Sequence, residues 1–202
     1  EKISSKTGIS KRYIAAKDEF ASDMAVKASR LLFEKEKIDI NKIDFLIYCT
    51  QSPDYLIPTT ACIIQDRLGL NKVGAFDFNL GCSGYIYGLS IAKGLIAANV
   101  AKNILFITSE TYSKFINDKD KSNRTIFGDA ASATLITKEK GLCKIGDFEL
   151  GSDGSGAENL IVRGSGVKGT VNSNTNEKTE DFGNTHTDND LYMNGPEIFN
   201  FT

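Results

Sequence analysis

The chain has 202 residues, of which 41% are hydrophobic and 25% are charged, and its formal net charge is −2. This composition is ordinary for a globular protein and excludes the strongly basic surface that nucleic-acid binding requires. No apolar run reaches the roughly 20 residues that span a bilayer, and nothing resembles a signal peptide, so we expect a cytoplasmic protein with no nucleic-acid or membrane partner.

The first predicted element is an amphipathic helix over residues 22–37, with Ser22 as its N-cap. A continuous apolar run from Ile43 to Thr50 has the length and flanks of a buried strand. Pro58 then starts a helix that Gly69 ends. Four apolar residues of the first helix are expected to face inward: Met24, Ala28, Leu31 and Leu32.

The middle of the chain continues this alternation of strands and helices. We predict a strand over Gly74–Leu80, a long helix from Cys82 to about Asn99 and a buried strand over residues 103–109. Residues 127–137 combine a turn, a run of small residues that indicates close packing, and a further strand. This order predicts an α/β fold built on a parallel sheet, in which ligands bind beyond the carboxyl ends of the strands.

Cys82 stands where a predicted strand ends and a predicted helix begins, between Gly81 and Gly84. A thiol at the first turn of a helix is close to unpaired N–H groups and the positive end of the helix dipole, and both stabilise the thiolate. The two glycines leave room for a substrate to approach the sulfur. Because the thiolate is the reactive form, Cys82 is the best candidate for a nucleophile.

The other three cysteines, Cys49, Cys62 and Cys143, are expected to be buried packing groups, as most cysteines are. None of the four forms a C-x-x-C pair, which disfavours zinc and thioredoxin-like sites. The absence of disulfide-dense spacing suits a reducing cytosol.

The segment from Gly151 to Asn189 is rich in Gly, Ser, Thr, Asn and Asp, and predicts a long surface excursion that is flexible or covered by a partner. It contains His186, the only histidine of the chain. A single histidine in a polar loop is most often solvated, and we expect this one to be solvated rather than catalytic.

Five segments resemble β-ketoacyl-acyl-carrier-protein synthase III, a branch of the thiolase-like superfamily, in their order and close to their spacing. The cysteine segment and the F-G-D-A segment are the most specific of them. The segments are KTGISKRYIAA (6–16), IPTTACIIQDRLGL (57–70), FDFNLGCSGYIYGLSIAKGLI (76–96), FGDAASATLI (127–136) and LYMNGPEIF (191–199).

The resemblance implies a thiolase-like fold, an α-β-α-β-α layered sandwich made of two similar halves with a five-stranded mixed sheet each. Residues 1–150 would supply most of the first half without its opening strand. Residues 151–202 would supply a polar loop and the start of the connection to the second half. The chain starts without methionine and stops in a predicted helix that begins at Gly195-Pro196, so we expect it to be a piece of a longer polypeptide.

The resemblance also implies a reaction. A cysteine at the position of Cys82 takes an acyl group from a thioester and condenses it with malonyl-acyl-carrier-protein, with loss of carbon dioxide, to initiate fatty-acid or related acyl-chain synthesis. Its backbone N–H would be one oxyanion-hole donor. Acyl-coenzyme A or an acyl carrier protein would be the substrate and the carrier protein a partner, with no cofactor and with a homodimer as the assembly. The family's catalytic histidine and asparagine lie in the second half, so we expect this piece alone to be inactive in condensation.

The resemblance suggests five further site residues. Lys6 and Lys121 stand where relatives place arginines that contact coenzyme A, although both could be solvated surface charges. Ile57 matches a residue that lines the partner subunit's acyl tunnel, and a core role is the alternative. Met193 and Gly195 fall in a segment that borders the substrate entrance.

Three alternatives to the condensing enzyme stay open. One keeps the acyl-Cys82 intermediate but transfers the acyl group to an oxygen or nitrogen nucleophile without condensation. Another is a non-catalytic partner subunit of a heterodimer, which would need no nucleophile. The last is a cysteine hydrolase, which would need a nearby general base that the chain does not visibly provide.

Overall fold

The computed structural model describes residues 2–139, 141, 143–172, 174–180 and 183–201. The helices are α1 (Lys2–Thr7), α2 (Ala21–Glu36), α3 (Thr60–Arg67), α4 (Gly84–Ala97), α5 (Gly166–Asn172) and α6 (Gly195–Phe201). The strands are β1 (Phe45–Cys49), β2 (Gly74–Phe78), β3 (Asn103–Glu110), β4 (Ala130–Thr137), β5 (Leu160–Ile161), β6 (Lys178–Thr179), β7 (Thr185–His186) and β8 (Tyr192–Met193).

These elements group into two units, and each unit is discontinuous in the sequence. The sheet unit consists of Ala15–Glu110 and Ala130–Leu150. The second unit consists of Glu1–Ile14, Thr111–Asp129 and Gly151–Thr202. The predicted layout, with residues 1–150 in the first half and 151–202 in a loop and connection, stays a prediction, because each of these units combines separate stretches of the chain.

The sheet unit is built on a four-stranded sheet with the order β2-β1-β3-β4. The central strand β1 is parallel to β2 and to β3, as the alternation of strands and helices predicted. β4 follows a segment of the second unit rather than a helix of the sheet unit, and it runs antiparallel to β3. The sheet is therefore mixed, in agreement with the family resemblance.

Helices cover both faces of this sheet, which explains why β1 is apolar along its whole length. Leu46 and Leu105 pack with Ala25 of α2 and Ile64 of α3 on one face. On the opposite face, three sheet residues, Ile47, Ile104 and Phe106, pack with Ala92 of α4. The core thus lies in two layers with the sheet between them.

Polar groups inside the sheet unit fix the helices on the strands. The hydroxyl of Tyr48 in β1 lies 2.7 Å from Ser109 Oγ in β3, and Ser109 Oγ donates to Ala21 O of α2 at 2.8 Å. Burial raises the pKa of the Tyr48 phenol, so it stays protonated and can donate to Ser109. Asp77 of β2 accepts a hydrogen bond from Thr60 N at 2.6 Å and thereby caps the start of α3.

Helix α2 begins at Ala21, one residue before the predicted start, and the face that it buries differs from the one we expected. Its fully buried residues are Ala21, Ser22, Ala25, Val26 and Ser29. The expectation that Leu31 faces inward is wrong, since this side chain is 53% exposed. The contact face is made of small residues because α2 lies close against β3 and β4.

The second unit corrects two expectations. The predicted surface excursion over Gly151–Asn189 is exposed over most of its described residues, but it also forms β5 to β7 and ends in buried side chains at residues 184–186. His186 is only 4% exposed and lies with its ring 5.0 Å from the ring of Tyr192, so the expectation that it is solvated is wrong. The tyrosine ring shields the imidazole from water.

A buried carboxylate organises this part of the second unit. Asp120 Oδ1 accepts from Ser122 N at 2.7 Å, and Asp120 Oδ2 accepts from the side-chain amides of Asn123 and Asn184, each at 2.9 Å. These bonds join the 117–123 turn to the strand pair β6–β7, which explains how a segment of polar composition packs.

Candidate active site

Cys82 lies in a tight turn between β2 and α4, at the carboxyl edge of the parallel strands. The turn is closed by a hydrogen bond from Gly84 N to Gly81 O at 2.8 Å, and Ser83 occupies the N-cap position of α4 without a side-chain capping hydrogen bond. Cys82 is exposed and carries a free thiol. The predicted position beyond the strand ends is confirmed, although α4 begins two residues after the cysteine rather than at it.

The two glycines beside Cys82 allow close packing of the chain itself. A Cβ atom at Gly81 would lie 2.8 Å from Gln51 Oε1, and one at Gly84 would overlap Cys49 Sγ. Side chains from the end of β1 therefore occupy the space that we had assigned to an incoming substrate. The contact at Gly84 requires the absence of a side chain there, because Cys49 is short and buried, while Cys82 itself remains open to solvent.

Cys49 is a second thiol beneath this turn, and its environment is the opposite of that of Cys82. It is 3% exposed and donates a hydrogen bond from Sγ to Leu80 O at 3.2 Å. Burial raises the pKa of the Cys49 thiol to about 11, so it stays protonated near neutral pH. Cys49 is thus the packing group that we expected, and it cannot compete as a nucleophile.

The expectation that the remaining cysteines are buried is wrong. Cys62 on α3 and Cys143 after β4 are both exposed. Cys62 points away from the core because α3 buries Thr60, Ala61 and Ile64 instead.

Glu110 is a half-buried carboxyl group at the end of β3, on the same edge of the sheet as Cys82. Its Oε1 accepts from Gln51 N at 2.7 Å, and its Oε2 accepts from Ser52 Oγ at 2.7 Å. Burial raises the pKa of Glu110, although these hydrogen bonds oppose the shift. The carboxyl group fixes the chain where it leaves β1.

A groove runs along this edge beside the cysteine turn. It is lined mainly by the ends of β1 and β2 and by the loop that follows β1, including Thr50, Tyr55, Leu56, Phe78 and Asn79.

Ile57 belongs to the loop that borders this groove, and it is 89% exposed. A core role for Ile57 within this chain is therefore wrong. Its predicted role in a partner subunit's tunnel stays a prediction.

The other predicted site residues belong to the second unit. Lys6 lies in the last turn of α1, and Lys121 follows the buried Asp120; both are exposed. Met193 pairs with Leu160 across β5 and β8, and Gly195 is the first residue of α6, as the Gly195-Pro196 pattern predicted for a helix start. Cys82 and Ile57 lie in the sheet unit.

Sequence reasoning missed Gln51 and Glu110, the two polar residues that hold the neighbourhood of Cys82. A signal was available, because both follow the carboxyl ends of strands that the sequence predicted. The contact of Gln51 with Asn79, and the hydrogen bond from Gln51 to Glu110, depend on the strand order β2-β1-β3, which the sequence alone does not specify.

Among the described residues, no group of three or more His, Cys, Asp or Glu side chains is arranged to hold a metal ion. In the same part of the chain, no helix has the length and apolar character that crossing a membrane would require.

Comparison with known proteins identifies the family. The family model described as 3-oxoacyl-[acyl-carrier-protein (ACP)] synthase III matches residues 76–154. The chain is 39% identical over 201 residues to the β-ketoacyl-[acyl-carrier-protein] synthase III of Clostridium perfringens strain 13, a match that covers 100% of this chain and 59% of the relative.

Solved structures agree. A crystal structure of a 3-oxoacyl-(acyl-carrier-protein) synthase III superposes with a TM-score of 0.94 at 48% identity, over 99% of this chain and 60% of that one. The synthase III of Thermus thermophilus superposes with a TM-score of 0.81 at 35% identity, over 98% of this chain and 58% of that one. The chain spans about three fifths of the length of these proteins. With its thiolase-like α/β fold, the chain belongs to the β-ketoacyl-acyl-carrier-protein synthase III family.

Proposed function

We propose that the full-length protein is an acyltransferase that carries an acyl group on Cys82 and condenses it with malonyl-acyl-carrier-protein. The observation that carries this proposal is the free, exposed thiol of Cys82 in the strand-to-helix turn of the sheet unit. Relatives named β-ketoacyl-[acyl-carrier-protein] synthase III, similar over the whole chain, supply the reaction class.

The first half-reaction is acyl transfer to sulfur. The Cys82 thiolate attacks the carbonyl carbon of an acyl thioester, the bond from that carbon to the carrier sulfur breaks, and the carrier thiolate leaves and takes up a proton. The backbone N–H of Cys82 is our candidate for one donor to the oxyanion. The start of α4 just beyond the turn favours negative charge at this place.

The second half-reaction forms the carbon–carbon bond. The malonyl group bound to the carrier protein loses carbon dioxide, and the electron pair of the broken bond stays on the α-carbon. That carbon attacks the acyl carbonyl, and the bond to Cys82 Sγ breaks to regenerate the thiolate. The product is a β-ketoacyl-carrier protein, and no cofactor enters the scheme.

The proposal extends to partners and to the remaining site residues. Acyl-coenzyme A or an acyl carrier protein would deliver the acyl group, with Lys6 and Lys121 as candidate contacts to phosphate; both lysines are exposed. Met193 and Gly195 would border the substrate entrance. The protein would act in the cytoplasm as a homodimer, in which the exposed Ile57 reaches the tunnel of the partner subunit.

The test uses the full-length protein with acetyl-coenzyme A and malonyl-acyl-carrier-protein labelled in its free carboxyl group. We expect release of labelled carbon dioxide together with β-ketoacyl-carrier protein, which mass spectrometry identifies. Cys82→Ser should lower formation of this product by about 10³-fold or more, because it removes the nucleophile. Cys62→Ser, which changes another exposed cysteine of the same unit, is the matched control and should behave as wild type.

Two outcomes would overturn the proposal. Acylation of Cys82 without any condensation product would favour transfer to an oxygen or nitrogen nucleophile. Neither an acyl adduct nor a product from a correctly folded protein would favour a non-catalytic partner subunit.

A further inference from the structure

The side-chain amide of Gln51 contacts the segment that carries Cys82 at two points. Gln51 Nε2 donates a hydrogen bond to Asn79 Oδ1 at 3.2 Å, three residues before the cysteine. Gln51 Oε1 lies so close to Gly81 that a Cβ atom there would be 2.8 Å away. One amide group thus donates to the residue that follows β2 and lies beside the residue directly before Cys82.

Gln51 is itself anchored to the sheet. Its backbone N–H donates to Glu110 Oε1 at 2.7 Å, and the neighbouring Ser52 Oγ donates to Glu110 Oε2 at 2.7 Å. Glu110 ends β3, which is hydrogen-bonded along its length to β1. A continuous chain of hydrogen bonds therefore runs from β3 through Gln51 to Asn79.

We infer that Gln51 is a positioning residue for Cys82. Gln51 acts on the cysteine turn through Asn79 and Gly81, and Glu110 holds Gln51 in place. The inference rests on the proposed function of Cys82 as a nucleophile. Reacting groups that are held in place react faster than mobile ones, and a displacement of about 1 Å can cost a large factor in rate. Gln51 acts on the geometry of the turn and takes no part in bond making.

The first experiment reads the position of Cys82 without any thioester substrate. Full-length protein is labelled with iodoacetamide, and peptide mass spectrometry compares the rate at Cys82 with the rate at Cys62, an exposed thiol on α3 that serves as internal reference. We expect Gln51→Ala to lower the Cys82 to Cys62 rate ratio by about fivefold, because the sulfur is no longer held at the start of α4.

Two variants sharpen this comparison. Gln51→Met keeps the volume of the side chain but cannot donate to Asn79, so it should lower the ratio as Gln51→Ala does. If Gln51→Ala fails to fold, Gln51→Met takes its place in the comparison. Asn41→Ala is the matched control: it removes an amide that donates to Asp39 Oδ1 elsewhere in the sheet unit, and should leave the ratio unchanged.

The second experiment separates positioning from general stability. In single-turnover acylation by acetyl-coenzyme A, Gln51→Met should lower the maximal rate constant about tenfold while the half-saturating concentration changes less than about twofold. In a double-mutant cycle, Asn79→Ala combined with Gln51→Met should be no slower than the slower single variant, because both remove the same link.

The outcomes keep this inference apart from the proposed function. A wild-type protein that never accepts an acyl group would overturn the proposed function. The ratio of iodoacetamide labelling rates at Cys82 and Cys62 would still test the positioning role of Gln51. The positioning role is overturned if Gln51→Met labels like wild type, or if the effects of the two single variants multiply fully in the cycle.

Discussion

Burial divides the ionisable groups at the carboxyl edge of the sheet into two classes. Cys49 is buried and Glu110 is half-buried, and for each the largest influence is the cost of charging a group away from water, which raises the pKa. Cys82 lies on the solvent side of the same edge. The burial of a side chain at this edge therefore decides whether it makes hydrogen bonds inside the protein or presents a sulfur atom to solvent.

Glu110 should make stability depend on pH. Because burial raises its pKa, the native state keeps the proton of Glu110 to a higher pH than the unfolded chain, whose glutamates titrate near 4.5. The stabilising contribution of the protonated group is complete below that value and is lost as the pH rises through the folded pKa. Glu110→Gln cannot ionise, so its free energy of unfolding should fall less than that of wild type between about pH 4 and pH 7.

Urea denaturation at a series of pH values measures this difference. Glu149→Gln, which removes an exposed carboxyl group of the sheet unit, is the matched control and should follow wild type. Parallel profiles for wild type and Glu110→Gln would contradict the assignment of a raised pKa to Glu110.

At the scale of elements, helix α4 contains two glycines that differ in the space available for a side chain. A Cβ atom at Gly88 would overlap the ring of Phe106, which is buried in β3 and stacked on Tyr85. A Cβ atom at Gly94 would have no neighbour within 4 Å. The first glycine lets α4 lie against the sheet, and the second has no packing role.

These two positions give a matched pair of substitutions in one helix. We expect Gly88→Ala to lower the free energy of unfolding by about 1–3 kcal/mol, because a close-packed core cannot absorb a methyl group. Gly94→Ala should raise it by roughly 0.5–1 kcal/mol, since alanine loses less conformational freedom in a helix. Chemical denaturation measures both, and similar effects at the two positions would contradict this packing of α4.

The sequence was informative where a pattern repeats over many residues. The apolar run that became β1, the helices α3 and α4, and the turn that carries Cys82 were all predicted, because burial on both faces and helix start signals leave local marks. Contacts between distant residues leave no such mark. The orientation of α2 and the burial of His186 were missed, since both depend on tertiary partners, the sheet for α2 and Tyr192 for His186.

At the scale of the whole molecule, the fold places the candidate nucleophile, Cys82, at the carboxyl edge of the parallel strands. The parallel strands β2, β1 and β3 deliver the ends of three segments to one edge, and residues from all three, Asn79, Gln51 and Glu110, are joined by hydrogen bonds. The position of the candidate nucleophile was predicted from the sequence. The residues around its turn were not, because only the strand order brings them together.

The most direct measurement for the central claim is peptide mass spectrometry of the full-length protein after brief incubation with acetyl-coenzyme A. We predict one acetyl group on the peptide that contains Cys82, none on Cys49, Cys62 or Cys143, and loss of the adduct in Cys82→Ser. An acetyl group on another cysteine, or an unmodified Cys82 in a correctly folded protein, would contradict the role of Cys82 as the acyl-carrying nucleophile.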